Sequence, residues 1–68
     1  MKTELEKKLN KLPDFIVIDN NKYDVDIYKD EGLWYIDYTN EFDNCYLSVV
    51  HTSLQAAVDT TLKEIKNL

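Results

Sequence analysis

Between Tyr23 and Val50 the side chains alternate in character with a period of two along three successive runs. That repetition leaves little choice of architecture. In the first run Tyr23, Val25 and Ile27 oppose Asp24, Asp26 and Tyr28; in the second Trp34, Ile36 and Tyr38 oppose Tyr35 and Asp37; in the third Cys45, Leu47 and Val49 oppose Tyr46, Ser48 and Val50. Strict alternation is the pattern of half-buried strands. The joins are short. Asp30-Glu31-Gly32 reads as a tight turn, with Gly32 able to take positive φ, and Asn40 to Asn44 reads as a polar loop around Phe42. Hairpin-length connections imply an antiparallel meander. Ahead of it, Phe15-Ile16-Val17-Ile18 is a β-branched run closed by the turn-prone Asp19-Asn20-Asn21-Lys22.

Two helical stripes flank this region. Residues 3–12 carry a capping-box pattern at Thr3 and Glu6, with Leu5, Leu9 and Leu12 on one side and Pro13 as the stop. Thr52-Ser53-Leu54-Gln55 repeats the capping pattern and opens a stripe of Leu54, Val58, Thr61, Leu62, Ile65 and Leu68. A helix with one apolar stripe must dock, and two of them cover one face of a sheet most economically. The expected fold is a single α+β domain over residues 1–68, ordered α-β-β-β-β-α. Its antiparallel meander is four-stranded, or three-stranded if Phe15–Ile18 stays outside it.

Sixty-eight residues make one domain, and a chain of that size buries only roughly 60% of its unfolded surface. No disulfide can help, because Cys45 is the only cysteine; it is expected as a small apolar core residue of a protein in a reducing cytosol. Met1-Lys2-Thr3-Glu4-Leu5-Glu6 has no apolar signal core. No apolar stretch approaches the ~20 residues of a membrane span. The expectation is a soluble, cytoplasmic protein.

Charge is unevenly placed. Residues 14–43 hold nine carboxylates against two lysines, a formal −7, whereas residues 1–13 carry +2 and residues 44–68 carry zero. The acidic segment also holds Trp34 and four of the five tyrosines. All eight basic residues are lysine, so the planar fork used on phosphate and guanine is missing. Direct binding to nucleic acid is disfavoured, and a basic protein surface is the expected partner. If the apolar alternates point at the helices, then Asp24, Asp26, Tyr28, Tyr35, Asp37, Tyr46 and Ser48 face solvent. The first five of these and Tyr46 are the candidate partner-binding residues. Against that stands the plainer reading, in which tyrosine suits any half-wet sheet.

Catalytic chemistry finds no constellation. His51 and Cys45 are six residues apart on or beside one strand, a separation of roughly 20 Å, and His51 is expected at the strand–helix junction. A zinc site lacks ligands, no glycine-rich phosphate loop exists, and the aspartates lack the spacing of a calcium loop. No cofactor, no metal and no enzyme activity are expected. Assembly has two sides. The Phe15–Ile18 run is apolar on both faces, and a homodimer through it or through the tyrosine face would cover it. A net charge of −5 and a folded-back N-terminal helix favour a monomer.

Gly32-Leu33-Trp34, Cys45 and the helix start Thr52-Ser53-Leu54-Gln55-Ala56-Ala57 resemble the β-β-β-α module of the HicB antitoxin family over residues 23–66. Asn40-Glu41-Phe42-Asp43-Asn44 stands where that family has Pro-Asp-Leu-Pro-Gly. The resemblance implies an antitoxin or regulatory domain that neutralises a small basic toxin. The element order is equally similar to the double-stranded-RNA-binding fold, without its lysine-rich helix start. In size, acidity and lack of catalytic residues the chain is similar to phage-encoded inhibitors, including anti-CRISPR proteins and DNA mimics. That likeness implies a protein of a phage or mobile element that occupies the basic, nucleic-acid-binding groove of a host enzyme. A small structural or housekeeping domain is the remaining alternative.

Overall fold

The structure is a computed structural model and describes residues 3–68; Met1 and Lys2, which open the stretch read as lacking a signal core, lie outside the described residues. Its elements follow the expected order: α1 (Glu4–Lys11), β1 (Phe15–Ile18), β2 (Asn21–Asp30), β3 (Leu33–Thr39), β4 (Cys45–His51) and α2 (Leu54–Lys66). All four strands join one curled antiparallel sheet in the order β1-β2-β3-β4.

Local chemistry sets the boundaries. Thr3 caps α1: its Oγ1 accepts from the Glu6 amide at 3.2 Å and donates to Glu6 Oε1 at 3.4 Å. Leu12 is already extended, as a residue before proline should be. The β1–β2 turn places Asp19 and Asn20 at φ 51° and 68°, and the β2–β3 turn places Glu31 and Gly32 at 50° and 80°. Two consecutive positive φ values match the right-handed twist of the flanking strands. The cap of α2 is Ser53 rather than Thr52, its side chain accepting from the Ala56 amide at 3.4 Å. Thr52 fitted the sequence pattern, but β4 runs on through His51 and leaves Thr52 in the junction.

The two helices cover one face of the sheet. Ile36, Tyr38, Ala57 and Val58 have no exposed surface, Leu12 and Val49 are buried beside them, and Leu5, Leu9, Trp34, Leu47, Leu62 and Ile65 pack around this centre. Fully burying an aliphatic side chain contributes about 1.5–3 kcal/mol. Two polar groups enter the core with partners. Thr61 Oγ1 donates to the Ala57 carbonyl at 2.7 Å, and the Tyr38 hydroxyl donates to the Pro13 carbonyl at 2.8 Å. Burial, and then the charge of Asp14, push the Tyr38 hydroxyl up to about 12. Lys8 Nζ reaches Asp59 Oδ1 at 2.9 Å and ties α1 to α2. Cover is thinnest over β2, where Ile27 keeps the expected orientation yet stays 37% exposed, because α2 lies over β3 and β4.

One irregularity overturns two expectations. The β3–β4 register pairs Tyr38 with Leu47 but Thr39 with Cys45, so Tyr46 is an extra residue, a bulge. One inserted residue reverses the faces of everything before it. Cys45 therefore joins the row of Asp24 and Thr39 on the uncovered face and is exposed, not a core residue. Tyr46 turns the other way: it stays 43% exposed, but its ring lies 5.4 Å from that of Tyr23, which packs against the core.

Candidate protein-binding face

The uncovered face is built from the alternate residues of the same strands, and the register arranges them in rows. One row runs Phe15, Asp24, Thr39, Cys45; the next Asp26, Asp37, Ser48; the third Tyr28, Tyr35, Val50. Successive rows are about 7 Å apart along a strand, and neighbours within a row are about 5 Å apart.

Asp37 is the hub. Its Oδ1 accepts from Ser48 Oγ at 2.7 Å and its Oδ2 from the Tyr28 hydroxyl at 3.1 Å, so both oxygens are aimed and the carboxylate is fixed in the middle of the sheet. Asp26 is its direct cross-strand neighbour. Like charges in that position oppose each other. The ion pairs among the described residues are Lys8–Asp59 and Lys22–Asp24, and neither relieves Asp26 or Asp37. Beside them the rings of Tyr28 and Tyr35 stack at 4.8 Å and 5°. The hydrogen bond to Asp37 holds the Tyr28 hydroxyl above its ordinary value, helped by partial desolvation and by the nearby charges of Asp37, Tyr35 and Asp26.

The expected residues Asp24, Asp26, Tyr28, Tyr35 and Asp37 are brought together; Tyr46 is not, having been turned towards Tyr23 by the bulge. Alternation alone did not single out the apolar part of the face. Phe15, Val17 and Val50 are 48%, 58% and 44% exposed and border the carboxylates on both sides. The two-sided apolarity of Phe15–Ile18 was the available signal. At that edge Lys22 Nζ sits 4.7 Å above the Phe15 ring and 3.6 Å from Asp24 Oδ1.

The face ends at a shallow depression of about 400 Å³ between the β1–β2 turn and the β3–β4 loop. Asn40 organises that loop, its Oδ1 accepting from the amides of Phe42 and Asn44 at 2.9 Å each. Phe42 is left 73% exposed at the rim. His51 and Cys45 stand at opposite ends of β4, and His51 Nε2 lies 3.1 Å from Thr60 Oγ1. No group of three or more His, Cys, Asp or Glu among the described residues is arranged to hold a metal ion. No helix among them is long and apolar enough to cross a membrane. No family model, curated protein or solved structure matches the chain.

Proposed function

We propose that this protein is a non-enzymatic binding module whose uncovered sheet face occupies a basic, nucleic-acid-binding surface of a host protein, as an inhibitor from a phage or mobile element would. The observation that carries the reading is the facing pair Asp26–Asp37, paired with no lysine among the described residues and set against the stacked Tyr28 and Tyr35. Two opposed carboxylates weaken a sheet, and a lysine or arginine from outside removes the penalty while the tyrosine rings supply desolvated contact. Carboxylates spaced along β2 substitute for phosphates on such a surface.

The test is capture of partners from a host lysate, with binding of the captured protein measured against salt and against nucleic acid. The expected partner is basic, is displaced by nucleic acid, and binds less tightly as salt rises. Asp26→Asn with Asp37→Asn should slow association, and Tyr35→Ala should speed dissociation, the latter by tenfold or more at a central contact. Affinity indifferent to salt and to these substitutions would overturn the reading. A small toxin bound through α2 would favour the HicB-like antitoxin instead.

A further inference from the structure

The two edges of the sheet are unequally guarded. Natural edges are protected by shortness, charge, proline or a bulge. β1 is four residues long and is hemmed by Pro13-Asp14 on one side and Asp19 on the other. β4 has seven residues, Cys45-Tyr46-Leu47-Ser48-Val49-Val50-His51, with no proline and no carboxylate or lysine. Its only guard is the bulge at Tyr46, and that protects the start of the strand. Leu47 to His51 remain a regular edge whose outward amides and carbonyls lack a strand to pair with.

We infer that this edge pairs with a second copy of the chain, antiparallel about a two-fold axis, to make one continuous eight-stranded sheet. Charge selects the occupant and the edge together. The −7 segment, residues 14–43, builds β1, β2 and β3, whereas residues 44–68, which build β4 and α2, are formally neutral. Copies meeting through β1 or through the uncovered face would set carboxylates against carboxylates; copies meeting through β4 do not. Antiparallel pairing also keeps faces matched, since opposite residues share a side. Leu47 and Val49 would extend the covered face, and Ser48 and Val50 the uncovered one.

The helix layer fits as well. α2 packs on both β3 and β4, and an axis midway between these strands would lie about half a strand spacing, ~2.4 Å, inside β4. Across the two-fold the α2 axes would be about 10 Å apart, the separation of ordinary packed helices. The flank that would meet there is marked by Thr60, which His51 of β4 touches, and by Ala56 one turn earlier. Both are small and half-buried. Asp26, Tyr28, Tyr35 and Asp37 would stay free, and each dimer would present two acidic faces in one surface. The inference does not depend on what that surface binds.

A matched pair of substitutions tests it. Val50→Glu on β4 and Val17→Glu on β1 add the same charge at exposed edge positions, 44% and 58% accessible. Light scattering across the micromolar to sub-millimolar range should give about twice 8.0 kDa for the native chain and for Val17→Glu, and 8.0 kDa for Val50→Glu. Circular dichroism shows whether each variant folds. Independently, raising the concentration of the native chain should slow hydrogen exchange at alternate amides of Leu47–His51 and leave β1 unchanged. A native mass of 8.0 kDa throughout, equal loss of the dimer in both variants, or concentration-dependent protection in β1 instead, would each overturn it.

Discussion

Within β3 the residues Tyr35, Ile36, Asp37 and Tyr38 take turns on two faces that do opposite things. Ile36 and Tyr38 have no exposed surface and sit at the centre of the core. On the other face, one residue away, Asp37 stands opposite the carboxylate of Asp26 and Tyr35 opposite Tyr28. The covered face converts surface burial into stability. The uncovered face keeps an electrostatic penalty that packing alone never removes. Seven residues of strand therefore carry both the reason the chain folds and the reason to expect a partner, and the period of two keeps these roles apart.

The separation can be broken from the covered side first. Ile36→Ala removes a fully buried side chain and should cost about 3 kcal/mol, within the usual span for such truncations. For a domain with so small a core, denaturant melting should show much of the stability gone. If partner binding by the remaining folded fraction were weakened as well, the faces would not be independent.

Tyr38→Phe is gentler. It removes the hydroxyl that donates to Pro13 and should cost about 1 kcal/mol. It should also flatten the alkaline limb of the stability profile. Tyr38 holds its proton more tightly when folded, at about 12 against 10.0 when free. Its share of stability is complete below pH 10 and declines as pH rises through that interval, because the unfolded chain releases the proton first. Melting in alkali should therefore show a stability difference between native and variant that is constant below pH 10 and shrinks as pH rises from 10 towards 12.

The uncovered side should respond with the opposite sign. Asp26→Asn relieves the opposition to Asp37 and should stabilise the fold by about 0.5 kcal/mol, while lowering the rate of association with a basic partner. A loss of stability on this substitution would mean that Asp26 has a structural role and would remove the argument drawn from the pair.

Most of this architecture is legible in the residues. Alternation from Tyr23 to Thr39 gave the faces of β2 and β3 correctly, and Pro13, Thr3 and Gly32 marked α1 and the β2–β3 turn where the structure has them. The bulge was not legible. Cys45, Tyr46 and Leu47 alternate as well as any strand, and only the closure of the Asn40 loop, with its hydrogen bonds to Phe42 and Asn44, decides how the strand re-enters register. That one residue moved Cys45 to the surface and took Tyr46 out of the candidate site. Coverage was equally hidden. Sequence fixes which way Ile27 points, but which strands the helices lie across depends on how α1 and α2 pack together.

That packing bears on the order in which the molecule can be completed. The strands pair only with their sequence neighbours, so each hairpin closes over a short loop and the meander can form early. α1 cannot follow at once. It packs chiefly on α2, from the opposite end of the chain, with Lys8 reaching Asp59. On the ribosome α1 is made before α2 and must wait for it, and until α2 emerges Ile36 and Tyr38 lack Ala57 and Val58 to lie against. Neighbour pairing favours early closure of the meander, and the arrival of α2 completes the cover over the core.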